Sequence, residues 1–345
     1  MKLQYSVELH KLKFKKPAKT SRNIFEEKLH WVVKVWDKKT PELIGIGEAA
    51  PLEFLSPDYD EDLGSIIESQ LDEMTKGASF EDLDLDELPS VKFALESAFL
   101  DFTNGGKQIY FISDYLTGNS IPINGLVWMN DLDEMLKEAM AKSNAGFKCI
   151  KFKIGSHDFD AECRFLEKFR NSQEAKNVII RLDANGAFET DEALEKLKEL
   201  ARFNIHSVEQ PISAGQWDDM AKVCKDSKIA IVLDEELIGV YKEERNKLLK
   251  YINPQFIILK PTLLGGFSEC DNWILLANKF KIGWWATSAL EGNYGLNAIA
   301  RWVGKYNTSL PQGLGTGLLY ENNFPAKSEM KNGNLFYWDK NLTTF

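Results

Sequence analysis

Six charged residues end apolar runs in the middle of the chain, and lysines and carboxylates together suit acid–base and metal chemistry. They are Lys151 and Lys153 of CIKFKIG, Asp183 of IIRLDANG, Glu209 of HSVEQP, Asp234 of IVLDEEL and Lys260 of FIILKPT. From Lys153 onward they follow one another at intervals of 30, 26, 25 and 26 residues. One strand, one helix and two short loops need about 25 residues, so the spacing predicts successive βα units. In a closed parallel barrel the strand C-termini meet at one mouth, where catalytic groups lie.

The three carboxylates are predicted to follow three consecutive strands. Neighbouring strands lie about 4.8 Å apart, so Asp183, Glu209 and Asp234 can converge on one ion. Oxygen ligands select a hard cation, and we expect Mg²⁺, with Mn²⁺ as an alternative. The competing interpretation is that strand-end acids cap helices or face solvent, which is less compatible with three acids in register beside lysines.

The lysines are predicted to approach a substrate from two sides. Lys151 and Lys153 lie two residues apart on one strand and therefore point to the same face. Two neighbouring ammonium groups repel each other, which predicts a lowered pKa for one of them and a base near neutral pH. Lys260 follows a predicted strand four positions further round the barrel and therefore lies opposite the pair. An alternative role for Lys260 is an ion pair with one of the ligand carboxylates. Together these groups predict proton abstraction next to a carboxylate.

Composition and charge exclude several classes of protein. The chain has 345 residues, 44% hydrophobic and 27% charged, which suits a globular protein with a barrel and a second domain. A net charge of −10 argues against nucleic acid or an anionic membrane as a partner. Four histidines without metal-ligand spacing argue against a His-ligated zinc site and a Ser–His–Asp triad. We expect a small-molecule carboxylate as the partner, with the oligomeric state left open.

The cysteines and the apolar segments indicate the compartment. Four cysteines form no CxxC pair and no disulfide-like cluster, which is typical of reduced thiols. The basic N-terminus lacks the apolar stretch of a signal peptide, and no run approaches 18 apolar residues. We expect a cytoplasmic protein without a membrane span.

Two kinds of pattern follow one another along the chain. The first 50 residues alternate as in an antiparallel sheet, and helical periodicity follows at 59–76 and 89–106. From IPINGLVW at 121–128 to LPQGLGTG at 310–317, eight strand candidates alternate with amphipathic segments.

The two patterns predict an α/β fold with two domains. We expect a modified TIM barrel of the (β/α)7β type with an N-terminal α+β capping domain, completed by the C-terminal tail. The predicted cap covers residues 1–118, with 321–345 packing back on it. The predicted catalytic barrel covers residues 119–320.

The order K-x-K, D, E, D and K on predicted strands two to six resembles the enolase superfamily, in its muconate-lactonizing-enzyme branch. The resemblance covers nearly the whole chain, including the cap. It implies that the three strand-end carboxylates hold Mg²⁺. It also implies a catalytic acid/base at Lys153, with Lys151 as its partner and Lys260 on the opposite face.

Four further segments look like those of o-succinylbenzoate synthases. They are GIGEAAPLEFLSPD (45–58), INGLVWM (123–129), TSALEGNYGLNAIARW (287–302) and GLGTGLLYENNF (313–324). Dipeptide epimerases of the branch usually carry a DxD at the end of strand eight, where this chain has GLGTG and no acid. The resemblance implies a hydro-lyase of menaquinone biosynthesis that converts 2-succinyl-6-hydroxy-2,4-cyclohexadiene-1-carboxylate to o-succinylbenzoate.

The same resemblance implies a syn elimination with one acid/base. Lys153 would remove the proton alpha to the ring carboxylate, giving an enediolate stabilised by Mg²⁺, and would then protonate the departing hydroxyl. Lys260 would stabilise the anion by its charge, through a cation–π contact, and need not transfer a proton.

Other positions are predicted to complete the site. Small residues at the ends of strands seven and eight let backbone amides approach a substrate carboxylate, with Ser288 and Gly315 as candidates. The alternative there is tight-turn chemistry alone. Asn185 lies two residues beyond Asp183, on the same face, and is expected to support the metal ligands.

A loop of the cap is predicted to cover the mouth. Phe54, Leu55 and Ser56 form an apolar tip, which is unusual for a plain surface turn. We expect Leu55 to contact the substrate and the loop to shield the ring from water.

Two alternatives to this function remain. An N-acylamino-acid racemase or a dipeptide epimerase uses the same mechanism class, by 1,1-proton transfer, and the missing DxD argues only against the epimerase. A non-catalytic binding protein on the same fold would be expected to have lost a lysine or a ligand, and none is missing.

Overall fold

The computed structural model describes residues 2–19 and 24–338. A three-stranded antiparallel sheet comes first, as the alternating pattern predicts. Its strands are β1 (Leu3–Lys19), β2 (Ile24–Asp37) and β3 (Thr40–Ala49). Two helices follow, α1 (Leu63–Lys76) and α2 (Pro89–Thr103). Both are shorter than the periodic pattern predicts, since an Asp60–Asp62 turn precedes α1 and Asn104-Gly105-Gly106 ends α2.

The two helices cover one face of this sheet. Val33 and Val35 of β2 pack with Ile67 of α1 and Ala94 of α2 in one buried cluster. Gly47 of β3 brings the strand against α2, since a methyl group added there would lie 1.9 Å from Ala94 O. Glycine at this position therefore sets the distance between sheet and helix.

Strands and helices then alternate along the rest of the chain. The strands are β4 (Ile121–Pro122), β5 (Gly125–Val127), β6 (Cys149–Lys153), β7 (Ile179–Asp183), β8 (Ile205–Glu209), β9 (Ala230–Leu233), β10 (Phe256–Leu259) and β11 (Gly283–Ala286). The helices are α3 (Leu132–Asn144), α4 (Phe159–Arg170), α5 (Ala193–Leu200), α6 (Trp217–Asp226), α7 (Glu243–Ile252), α8 (Pro261–Leu264), α9 (Gly266–Phe280) and α10 (Asn293–Val303). Short 3₁₀ turns lie at Phe80–Asp82, Asp114–Thr117, Ala201–Phe203, Glu235–Leu237 and Gly304–Tyr306. Within the described ranges, no helix is long and apolar enough to cross a membrane.

Strands β5 to β11 form one parallel sheet in chain order. A short segment takes the eighth position, where Gln312 pairs with Ile123 before β5 and Gly313 pairs with Thr287 after β11. These two parallel bridges join the edges of the sheet and close the barrel. The predicted modified TIM barrel of (β/α)7β type is confirmed.

Alternation along the strands separates the outer core from the barrel interior. Ile150 and Phe152 of β6 join the buried cluster under the outer helices, whereas Lys151 and Lys153 line the interior cavity. Trp285 packs with Val232 and Ile258 in a separate buried cluster, and the guanidinium of Arg181 stacks on its ring, 3.7 Å from the centroid. Within the described part of the chain, these buried side chains fill part of the barrel interior, and the cavity beside Lys151 and Lys153 lies at the mouth.

The segment after the barrel contacts both parts of the chain. Tyr320 pairs with Phe14 of β1. Two short strands follow, β12 (Ser328–Lys331) and β13 (Asn334–Tyr337). Their hairpin pairs with β4 rather than with the first sheet. The predicted domain limits stay predictions, and their residues 1, 20–23 and 339–345 lie outside the described part.

Candidate active site

The six charged residues predicted to act together do lie together, at the C-terminal mouth of the barrel. The register pairs Lys153 with Asp183 and Asp183 with Glu209, so three charges stand side by side on β6, β7 and β8. Asp234 and Lys260 directly follow β9 and β10. The three carboxylates are almost completely buried, at 0%, 2% and 3% exposure in chain order. Strand ends therefore position the whole set, as the spacing predicts.

Lys151 lies between two of the carboxylates. Its Nζ donates to Asp183 Oδ2 at 2.8 Å and to Glu209 Oε2 at 2.8 Å. Burial acts to lower the pKa of Lys151, but the charges of Asp183 and Glu209 outweigh burial and raise that pKa above its ordinary value. The lowered pKa predicted for one lysine of the pair therefore does not belong to Lys151, because two carboxylates contact its ammonium group.

Lys153 is held by an acid and an amide. Its Nζ donates to Asp183 Oδ2 at 2.7 Å and to Asn185 Oδ1 at 2.6 Å. Asn185 adopts a left-handed backbone with φ of 45°, its N–H donates to Asp183 Oδ1 at 3.2 Å and its Nδ2 donates to Glu235 Oε1 at 2.9 Å. Asn185 thus orients Lys153 as well as Asp183, a candidate metal ligand. The contact with Lys153 adds to the supporting role predicted for Asn185.

Lys260 occupies the opposite side of the mouth. Its Nζ donates to Asp234 Oδ2, so the ion pair considered as an alternative is the arrangement present. Burial acts to lower the pKa of Lys260, whereas Asp234 and then Glu209 raise it, and the net direction is upward. Both side chains are mostly buried, at 13% and 2% exposure.

The donor set fits a divalent cation. The carboxylates of Asp183, Glu209 and Asp234, with Glu235 beside them, outnumber the three ammonium groups in a nearly dry site. Burial and then repulsion from Asp183 raise the pKa of Glu209 well above its ordinary value, and Asp234 adds to the rise. Among the described residues no three acids form a ready-made ion cluster, because the lysines lie between them. Oxygen donors with surplus negative charge nevertheless match a hard cation.

A cavity lies above the lysines, between the barrel and the first sheet. Its wall is largely apolar, formed by Phe25, Leu52, Leu55, Leu126, Trp128, Leu263, Ala289 and Leu290. Leu55 reaches the cavity as predicted, whereas Phe54 beside it points away and is 62% exposed. Ser56 holds the turn, since its Oγ accepts the N–H of Leu52 at 2.7 Å. The cap loop therefore supplies one apolar wall through Leu55.

Ser288 and Gly315 also line the cavity. The Ser288 hydroxyl donates to Glu291 at 2.6 Å and accepts from Thr316 Oγ1 at 2.8 Å, so it has no free hydrogen for a substrate. The N–H groups of Ser288, Ala289 and Leu290 donate to Gly313 O, Glu291 and Ser288 Oγ. Strand pairing uses the first of these amides and turn formation the other two, which favours the tight-turn alternative at strand seven. Substrate contact stays a prediction for both Ser288 and Gly315.

Comparison with known proteins agrees with this geometry. A family model described as enolase C-terminal domain-like matches residues 134–335. An o-succinylbenzoate synthase of Desulfotalea psychrophila is 42% identical over 93% of this chain and 95% of its own length. The chain belongs to the enolase superfamily. Within the superfamily it falls in the family of the o-succinylbenzoate synthases, and it is a lyase.

Solved structures of superfamily members share the fold. The crystal structure of MenC from Desulfotalea psychrophila has a TM-score of 0.84 and 38% identity, and covers 97% of this chain and 100% of that one. The substrate-liganded L-Ala-D/L-Glu epimerase of Bacillus subtilis has a TM-score of 0.85 and 21% identity, covering 98% and 96%. At this lower identity the likeness shows the common fold alone.

Some residues of this superfamily site escape the sequence patterns. Glu235 lies in the same DEE run as Asp234 but reaches the site by a 3₁₀ turn, which strand alternation does not predict. Asn124 and Trp128 line the cavity from either end of β5. They are the second and sixth residues of INGLVWM, with Leu126 of the cavity wall halfway between them, and this alternation would have identified them.

Proposed function

We propose that this lyase catalyses the Mg²⁺-dependent syn-dehydration of 2-succinyl-6-hydroxy-2,4-cyclohexadiene-1-carboxylate to o-succinylbenzoate, in menaquinone biosynthesis. The proposal rests on one observation above all, that Lys153 and Lys260 approach one mouth from opposite sides with buried carboxylates between them. The 42% identity to an o-succinylbenzoate synthase supports the choice of substrate. The proposed partner is a small-molecule carboxylate rather than a nucleic acid or a membrane.

Lys153 is the proposed acid/base. Two acceptors, Asp183 and Asn185, fix the position of its Nζ. As a free amine it takes the proton alpha to the ring carboxylate, and the electron pair of that C–H bond enters the conjugated system. The resulting ammonium gives the proton to the hydroxyl on the neighbouring carbon, the C–O bond breaks, and water leaves from the same face as the ring becomes aromatic.

Lys260 is the proposed source of fixed positive charge. It faces the cavity from the side opposite Lys153, where apolar walls exclude water. An ammonium group in such a site stabilises a nearby anion more strongly than it would in water. A cation–π contact with the ring adds to this effect as aromatic character develops. Dehydration requires no proton transfer by Lys260.

Asp183, Glu209 and Asp234 are the residues that would hold Mg²⁺, with Mn²⁺ as a substitute. The bound cation would supply Lewis-acid stabilisation for charge that develops on the substrate carboxylate. Their oxygen-only chemistry and their surplus of buried negative charge support this assignment.

A second candidate is racemisation or epimerisation by 1,1-proton transfer. Lysines on both faces of the mouth suit that reaction, and an epimerase of Bacillus subtilis has the same fold. The segment GLGTG at the end of strand eight offers no acid for a substrate ammonium. This observation favours N-acylated amino acids over dipeptides as substrates of any such activity.

Proton nuclear magnetic resonance in deuterium oxide separates the two candidates. The purified protein with Mg²⁺ is given the cyclohexadiene carboxylate in one sample and N-acetyl-methionine in another. The proposal predicts rapid appearance of the aromatic signals of o-succinylbenzoate. Deuterium at the alpha carbon of the amino acid without accelerated aromatisation would replace dehydration with racemisation as the function.

A further inference from the structure

A buried lysine of the first sheet reaches across to the barrel. Lys28 of β2 is 5% exposed, and its Nζ donates to Ala50 O at 2.8 Å, Ala289 O at 2.8 Å and Leu290 O at 3.1 Å. Ala50 follows β3, whereas Ala289 and Leu290 lie in the β11–α10 loop, defined here as residues 287–292. Two of the three ammonium hydrogens therefore hold the loop that forms part of the cavity wall.

A buried carboxylate of the same sheet holds the far end of that loop. Glu48 of β3 accepts the N–H of Gly292 at 2.6 Å and the N–H of Gly295 at 2.7 Å. His30 Nδ1 lies 2.6 Å from Glu48 Oε1, the oxygen that also accepts from Gly292, and helps to fix the carboxylate. A methyl group added to Gly292 would lie 3.0 Å from Glu48 Oε1 and 2.7 Å from the Phe324 ring, so glycine permits this approach.

The β11–α10 loop needs such support because its backbone is strained. Leu290 has φ of 63°, a conformation that side-chain-bearing residues adopt at a cost. Its carbonyl accepts from Lys28 and also from Tyr320 Oη, at 2.7 Å. On its other side the loop is tied to the barrel, since Glu291 accepts from Thr262 Oγ1 at 2.6 Å. The loop is thus fixed between the sheet and the strand end that carries Lys260.

Charge compensation explains how a lysine is kept in this interior. Burial lowers the pKa of Lys28 to about 8, and the charges of Glu291 and Glu48 oppose this fall. Three carbonyl acceptors complete the environment of the ammonium group. The side chain therefore stays mainly charged at neutral pH, with all of its hydrogen bonds directed at backbone.

We propose that Lys28 and Glu48 are positioning residues that set the substrate-facing wall of the cavity from the capping side. The cavity wall includes Ala289 and Leu290 but, among the described residues, neither Lys28 nor Glu48, so both act through the loop. A wall displaced by about 1 Å loses complementarity to the substrate while the lysines and carboxylates of the mouth keep their places. The kinetic part of this inference rests on the proposed function, and its structural part does not.

Hydrogen–deuterium exchange tests the structural part without any substrate. The amides of Ala289, Gly292 and Gly295 donate hydrogen bonds and are expected to exchange slowly in the wild-type protein. Lys28→Met should raise exchange in the 287–295 peptide at least tenfold and leave the peptides of β6 to β8 unchanged. The matched control is Lys34→Met on the same strand, which removes an ion pair with Glu8 and no hydrogen bond to the β11–α10 loop.

Steady-state kinetics test the functional part. Lys28→Met is expected to raise KM for the cyclohexadiene carboxylate tenfold or more while kcat falls less than threefold, and Lys34→Met should match the wild type. The affinity for Mn²⁺, read by electron paramagnetic resonance, should not change. An inactive wild-type protein would remove the proposed function, and the exchange result would still decide whether Lys28 fixes the loop.

A milder change covers the case in which Lys28→Met does not fold. Tyr320→Phe keeps the ring and removes only the hydroxyl that donates to Leu290 O. It should raise exchange of the same peptide about threefold and raise KM by a similar factor. Exchange and KM equal to those of Lys34→Met, in whichever variant folds, would overturn the positioning role.

Discussion

At the scale of single residues, the mouth of the barrel is organised by the partners that each lysine has. Lys151 is surrounded by carboxylate oxygens, whereas Lys153 has one carboxylate and one amide oxygen. An amide carries no charge, so it orients an amine without stabilising its protonated form as strongly as a carboxylate does. This difference supports Lys153 as the group that exchanges protons and Lys151 as a fixed cation.

Arginine substitutions separate a proton-transferring lysine from one that supplies charge. A guanidinium keeps the positive charge but does not act as a base near neutral pH. Lys153→Arg should lower kcat by roughly 10³-fold or more, and Lys260→Arg by roughly 10–100-fold. The measurement is the initial rate of o-succinylbenzoate formation, with circular dichroism as the folding control. Equal losses in the two variants would refute the division of roles.

The carboxylates are expected to act mainly on metal affinity. Asp234→Asn removes one negative ligand and should weaken Mn²⁺ binding by roughly 10–100-fold or more. The free ion is followed by electron paramagnetic resonance during a titration. Asp219→Asn on the exposed side of α6 is the control and should bind as the wild type does. Unchanged affinity in Asp234→Asn would exclude Asp234 as a ligand.

At the scale of elements, strand ends and loops differ in how far the sequence predicts them. A charge that closes an apolar run marks the end of a buried strand, and this rule located all six residues of the mouth. The loop after β11 is different, because Glu291 and Ser288 accept the amides of Ala289 and Leu290 within the loop itself. The glycine and small residues of TSALEG are compatible with amides that bind a substrate carboxylate and also with amides used in a tight turn. Composition alone therefore does not distinguish these two roles.

The packing of β3 on α2 gives a prediction about stability. Gly47→Ala places a methyl group 1.9 Å from Ala94 O, so the sheet and helix must move apart. We expect a loss of about 1–3 kcal/mol in the free energy of unfolding, measured by urea denaturation.

Gly315→Ala is the matched control for this stability prediction. A methyl group there would meet its nearest atom, Asn124 O, at 3.4 Å, which is an ordinary contact. Its stability should therefore stay close to that of the wild type, although the methyl group enters the cavity wall. Equal stability losses in the two variants would mean that the contact with α2 is not what makes Gly47 necessary.

At the scale of the whole molecule, the barrel follows from local patterns but its joint with the cap does not. Spacing and alternation predicted eight strands, and the described barrel has seven of them as strands and the eighth as a segment joined by two bridges. The hydrogen bond from Lys28 to Leu290 joins residues 262 positions apart, and neither belongs to a motif that predicts the other. Such contacts depend on how two folded units pack against each other. The periodic patterns of a single sequence report local structure and do not predict that packing.

The buried pair of His30 and Glu48 in this joint predicts a pH dependence of stability. Burial lowers the pKa of His30, although Glu48 opposes the shift. In the unfolded chain, His30 therefore takes up a proton below about pH 6.5, whereas in the folded protein it does so only at lower pH. The free energy of unfolding consequently decreases as the pH falls. At pH 5.5 this contribution amounts to at most about 1.4 kcal/mol. His30→Gln should thus show a smaller fall in Tm between pH 7.5 and 5.5 than the wild type, and an equal fall would contradict the prediction.

The central claim is that metal and Lys153 together drive dehydration, and the change in ultraviolet absorbance on aromatisation tests it most directly. The cyclohexadiene carboxylate is mixed with wild-type protein and Mg²⁺, with wild-type protein and EDTA, and with Lys153→Ala and Mg²⁺. We predict rapid aromatisation in the first sample only, with the other two close to the slow rate of the substrate alone. Rapid aromatisation with EDTA, or by Lys153→Ala, would contradict the account.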